Sequence, residues 1–137
     1  MTWTIAPLSM TIDQARIAAY AEVTEDFNPI HLDPAFAERT PMGGVIAHGT
    51  MAVNLIWLAL EASLGRQVLA GMTMDVRFRR PVRVGDTIEA GATYDPEQSS
   101  FKVFVRNQDG IDVIEGTAMP ADFAWATERE RCKANDA

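Results

Sequence analysis

The sequence predicts an α+β domain in which a curved antiparallel sheet wraps around one long buried helix. Three observations carry that expectation. Residues 49–64 are apolar almost all round and are stopped by Gly65, the pattern of a helix covered on most of its surface. Met72, Met74, Val76 and Phe78 alternate with Thr73, Asp75, Arg77 and Arg79, the period of a strand with one apolar face. The chain has 137 residues, 47% hydrophobic and 23% charged, enough to bury one core and too few for two.

The elements follow in order. Thr11 with Gln14 three residues later has the capping-box pattern, and Ile12, Ala15, Ile17, Ala18, Ala19 and Val23 supply an apolar face, so a helix is expected over about 11–24. Residues 25–34 hold Pro29 and Pro34, which exclude one continuous regular element and leave a loop that presents polar groups. Residues 35–40 suit a helical turn, and Pro41-Met42-Gly43-Gly44 is loop by composition. The central helix spans roughly 24 Å, and Thr50, Asn54, Trp57 and Glu61 form one stripe along it. Strands of about seven residues match that length, and further ones are expected over 87–94, 101–106 and 111–119. Asp109-Gly110 marks the hairpin between the last two. The domain is expected to occupy residues 1–121. Residues 122–137, with Glu128-Arg129-Glu130-Arg131, form a polar C-terminal tail or surface helix.

Charge and cysteine content narrow the function. Twelve basic residues stand against nineteen acidic ones, a net charge of −7, which argues against nucleic acid or an anionic membrane as the main partner. The single cysteine, Cys132, allows neither an intrachain disulfide nor a multi-cysteine zinc site and suits a cytoplasmic setting. Residues 1–7 lack the basic and apolar regions of a secretory signal. The most apolar stretch, 45–60, is short for a bilayer and is broken by His48 and Asn54.

Both histidines, His31 and His48, lie between Asp26 and Gly49, in the least regular part of the chain. Asp26, Asn28, His31 and Asp33 fall within eight residues, with Pro29 fixing the backbone between them. A carboxylate and an imidazole so placed can hold one water and move two protons. The same spacing serves equally for an Asx-turn before proline. His48-Gly49 opens the central helix, where unpaired N–H groups and the dipole favour developing negative charge. Gly43, Gly44 and Gly49 allow either close approach of a ligand or simply tight turns.

Asp26-Phe27-Asn28-Pro29-Ile30-His31-Leu32-Asp33, followed by Gly44-Val45-Ile46-Ala47-His48-Gly49, resembles the hydratase motif of the MaoC-like, (R)-specific enoyl-CoA hydratase family. The resemblance extends from the first helix to about Met119 and includes Arg80-Pro81-Val82 and Val84-Gly85-Asp86. It implies the hot-dog fold, with the sheet curled around the helix. It also implies a hydro-lyase that adds water reversibly and syn to trans-2-enoyl-CoA, giving the (R)-3-hydroxyacyl thioester. Asp26 and His31 would be the catalytic pair, and the Gly49 N–H would stabilise the enolate-like thioester oxygen. Asn28, His48 and Asn54 would support them, and Arg80 and Arg83, in a group with Arg77 and Arg79, would meet the phosphates of CoA. No metal and no cofactor beyond the substrate's own CoA is implied, and the expected assembly is a homodimer.

One position departs from the family. Relatives often carry a serine where Trp57 stands, so an acyl pocket bounded by Met42 and Trp57 is expected to be altered or shortened, unless Trp57 packs at a subunit contact. Alternatives to CoA-ester hydration are the same reaction on an acyl carrier protein, thioester hydrolysis, whose signatures differ, and a non-catalytic acyl-CoA-binding subunit.

Overall fold

The computed structural model describes residues 5–121; the polar tail expected over 122–137 lies outside them. Strand β1 (Leu8–Thr11) leads into helix α1 (Gln14–Thr24), and two short turns follow, α2 (Pro29–Leu32) and α3 (Pro34–Glu38). The central helix α4 runs Gly49–Leu64 and is followed by the turn α5 (Arg66–Leu69). Strands β2 (Thr73–Phe78), β3 (Thr87–Asp95), β4 (Ser100–Arg106) and β5 (Asp112–Met119) complete the fold. The five strands form one antiparallel sheet in the order β1-β3-β4-β5-β2.

The central helix has the bounds its sequence predicts, and Gly65, at φ 86°, ends it. Met51, Ala52, Leu55, Ile56, Ala59 and Leu60 are buried. They join one core with Ile88, Ala90 and Ala92 of β3, Phe101, Val103 and Val105 of β4, and Val113, Ile114 and Ala118 of β5. Truncating a fully buried member such as Leu60 or Phe101 would cost about 2–5 kcal/mol through lost burial and the cavity left behind. The stripe of Thr50, Asn54, Trp57 and Glu61 is the less covered side, with Thr50 and Asn54 exposed and Trp57 half-buried against the core.

The first helix begins later than the capping-box spacing predicts. Thr11 belongs to β1, an edge strand the sequence analysis does not contain, and its hydroxyl pairs with that of Thr87 at 3.1 Å. Asp13 caps α1 instead, its Oδ1 accepting from the Arg16 N–H at 2.7 Å. A carboxylate satisfies an orphan donor and complements the positive helix end, so it displaces a hydroxyl already engaged in the sheet. Gln14, freed from the box, donates from Nε2 to the His31 carbonyl at 3.1 Å.

The two prolines break the segment after α1 as expected, and each opens a helical turn. Asn28 caps α2 and Asp33 caps α3, both directly before proline, because proline at the first helical position has no N–H to leave unpaired. The loop before α4 is pinned on two sides. The Ile46 N–H donates to the Ile30 carbonyl and the Ala47 N–H to the Val82 carbonyl, and Ile46 also bridges Arg83.

Candidate active site

Asp26 follows the C-terminus of α1, where its N–H donates to the Ala21 carbonyl at 3.1 Å. Its Oδ1 accepts from the Asn28 N–H at 3.2 Å, and Asn28 Oδ1 accepts from the Ile30 N–H at 3.1 Å. The Asx-turn is therefore present, and it consumes only one carboxylate oxygen. Asp26 Oδ2 faces His31 Nε2 at 4.0 Å, with the carboxylate side chain 51% exposed and the imidazole 11%. Turn-building and proton transfer are compatible at this residue.

His31 lies in α2. Its Nδ1 donates to the Ile46 carbonyl at 2.7 Å, which fixes the ring and leaves Nε2 as the free nitrogen directed to Asp26. A gap of 4.0 Å between these atoms lets a small polar group reach both.

His48 lies between this pair and the central helix. Its Nε2 donates to the Asp26 carbonyl at 3.0 Å, and its ring stacks on that of His31, centroids 3.8 Å apart. Only 3% of His48 is exposed, and its buried Nδ1 has no hydrogen-bond partner. It is also the residue before α4, and it offers no side-chain cap; the Gly49 amide, at the first helical position, has no partner within its helix. One ligand atom each from Asp26, His31 and His48 lies within 4.8 Å of the others. Each imidazole has one nitrogen committed to a backbone carbonyl, His31 Nδ1 to Ile46 and His48 Nε2 to Asp26.

Beside the helix N-terminus is a cavity of about 290 Å³, whose walls include Met42, His48, Gly49, Ala52, Phe78 and Arg80. Of the site residues expected from sequence, some line this cavity and others, Asp26, Asn28 and His31 among them, do not. Met42, His48, Gly49 and Arg80 line the cavity. Arg83 lies close by, its guanidinium 3.7 Å from where a Cβ on Gly44 would stand. Arg79 pairs instead with Glu115 on the sheet surface. Trp57 is not among the lining residues, and Asn54 acts at a distance: its Nδ2 donates to the Tyr20 hydroxyl at 3.2 Å, and that hydroxyl donates to Thr50 Oγ1 at 2.7 Å.

Sequence reasoning missed Tyr20, Gln14 and Phe78. Tyr20 sets its ring 5.0 Å from that of His48, and its only signal is that it is the lone aromatic of an Ala-rich helix. Alternation puts Phe78 on the apolar face of its strand and carries no signal that it meets Gly49.

Residues 4–113 match the family model described as "MaoC like domain". This chain belongs to the MaoC-like domain family. Within it, the chain is 40% identical over 82 residues to a 3-hydroxybutyryl-CoA dehydratase of Methylorubrum extorquens, the match covering 60% of this chain and 52% of that one. It is 39% identical over 85 residues to an (R)-specific enoyl-CoA hydratase of Aeromonas caviae, covering 62% of this chain and 63% of that one. The matched segment thus spans between half and two thirds of these curated relatives. Among solved structures, an (R)-hydratase from A. caviae involved in PHA biosynthesis superposes with a TM-score of 0.71 at 31% identity, covering 86% of this chain and 91% of that one. The MaoC-like chain accordingly has the hot-dog fold, its helix α4 held inside the curled sheet.

Proposed function

We propose that this chain is a hydro-lyase that hydrates trans-2-enoyl-CoA to (R)-3-hydroxyacyl-CoA and catalyses the reverse dehydration. The observation that carries the reading is the pairing of His31 Nε2 with Asp26 Oδ2 at 4.0 Å, with His31 Nδ1 committed to the Ile46 carbonyl, next to the open end of a buried helix. A water held between these atoms attacks Cβ as one of the pair takes its proton. A proton delivered to Cα from the same side completes syn addition, so one water is added in all. Charge developing on the thioester oxygen is met by the Gly49 N–H and the positive end of α4, which are already in place and need not reorganise. The names of the relatives in Methylorubrum and Aeromonas support this chemistry. The reading assigns every proton movement to side chains of this chain and calls on no cofactor beyond the substrate's CoA, whose phosphates Arg80 and Arg83 would meet.

The same reading includes a homodimer. Strand β2 is a sheet edge, and its inner residues Met74 and Val76 are only half covered while Phe78 is exposed. An unpaired edge with an apolar face is a template for a second copy. A stable, active monomer in sedimentation would overturn that part. Among the described residues no helix is long and apolar enough to cross a membrane. We assign the enzyme to the cytoplasm on its single cysteine, the usage of a reducing setting.

The deciding experiment follows loss of the enoyl-thioester absorbance with crotonyl-CoA, wild type beside Asp26→Asn and His31→Ala, with chiral analysis of the product. Wild type is expected to give the (R)-alcohol and each variant to lose about 10²-fold or more in kcat, as removal of acid-base catalysis requires. Turnover unchanged in both variants would sink the assignment.

A further inference from the structure

Phe78 ends the edge strand β2 and lies directly on the start of the central helix. A Cβ built on Gly49 would stand 2.8 Å from Phe78 Cε1 and 3.1 Å from its Cζ, closer than carbon atoms approach, so the ring edge rests on the glycine backbone. The cross-strand partner of Phe78 is Ile114, and both line the cavity of about 290 Å³. Phe78 and the His48 imidazole are the rings that line the cavity among the described residues, and 58% of Phe78 is exposed. It forms one wall of the cavity at the helix N-terminus.

We infer that Phe78 is the residue that limits the length of the acyl chain this enzyme accepts, by closing the cavity beside Gly49. The inference rests on the hydratase reading above and specifies its substrate. The lining is mostly apolar, with Met42, Ala52, Pro81, Val82 and Ile114 around the ring, and His48 and Arg80 are its two ionisable side chains. That chemistry suits an acyl chain, which asks for no hydrogen bonds, better than the pantetheine arm, whose two amides need partners when buried. The volume lies at the small end of ligand cavities, so the chain it holds is short. Trp57, the position that sequence alone singled out, is not part of this wall.

The test measures kcat/KM for enoyl-CoAs of four, six, eight and ten acyl carbons in wild type, Phe78→Ala and Phe78→Leu, and in parallel the calorimetric affinity of the saturated acyl-CoAs of the same lengths and of CoA itself. Wild type is expected to favour the shorter chains. In Phe78→Ala the ratio of long-chain to short-chain kcat/KM and affinity should rise about tenfold or more, the scale on which a hydrophobic pocket senses added methylenes, with Phe78→Leu between. Ratios unchanged in both variants would overturn the inference. So would an equal loss of affinity for every length and for free CoA, which would make Phe78 a wall for the pantetheine arm. Absence of turnover at all lengths would refute the hydratase reading alone, because the affinities still report whether Phe78 limits chain length.

Discussion

The imidazole of His48 is stacked on that of His31, centroids 3.8 Å apart and planes at 27°, while its Nε2 donates to the backbone carbonyl of Asp26 at 3.0 Å. One buried residue thereby holds both members of the proposed catalytic pair, one by ring contact and one through its backbone. His48 is a positioning residue in this arrangement. His48→Ala is expected to lower kcat for crotonyl-CoA about tenfold or more with little change in KM, as loss of geometry rather than of binding. His48→Asn, which keeps an amide donor, should recover part of the loss. A rise in KM at constant kcat would contradict this role.

Glu25, immediately before Asp26, sits in the left-handed region at φ 56°, ψ 30°, at the C-cap of α1. A left-handed residue with a side chain costs about 1–2 kcal/mol. Glu25→Gly relieves that cost and gives part of it back through the greater freedom of glycine in the unfolded chain. A net gain of up to about 1 kcal/mol is expected in urea unfolding. A loss of stability would show that the Glu25 side chain holds the turn by contacts of its own.

Two strand glycines should differ in their tolerance of alanine. At Gly116 a Cβ would stand 2.1 Å from the Asp75 carbonyl oxygen and 2.8 Å from Val76 Cα, both backbone atoms of the neighbouring strand. At Gly91 it would meet the Phe104 ring at 2.5 Å, a side chain that can turn, though the Arg106 guanidinium stacks on it at 3.9 Å. Gly116→Ala is expected to cost more than about 3 kcal/mol, and Gly91→Ala about 1–2 kcal/mol. Equal costs in thermal or denaturant unfolding would refute the distinction.

Gly49 and Phe78 should be energetically coupled. Gly49→Ala forces its Cβ onto the Phe78 ring, 2.8 Å away, and overpacking of this kind costs about 1–3 kcal/mol. In a Phe78→Ala background the space is open, so the same substitution should cost at least about 1 kcal/mol less. Additive stabilities across the four proteins of the cycle would show that the two residues do not touch in solution.

The parts of the fold legible in the sequence are those that neighbouring residues decide among themselves. The central helix is legible from Gly49 to Leu64 because its apolar run and its glycine stop are local. Strands β2 to β5 are legible from alternation and turn signals, whereas the short edge strand β1 is not. Asp26 and His31 are legible as a pair because five residues around one proline leave little freedom in how they meet. Thr11 is the instructive contrast: its spacing to Gln14 is a sound local signal, yet pairing with Thr87 across the sheet claims the hydroxyl and Asp13 takes the cap. Only the tertiary structure brought His48 onto His31, linked Tyr20 to Thr50 and Asn54, laid Phe78 on Gly49 and left Trp57 outside the cavity. Each of those contacts joins residues far apart in the chain, and its geometry depends on sheet register and on how the loops are tied to the core, which the periodicity of a single segment does not encode.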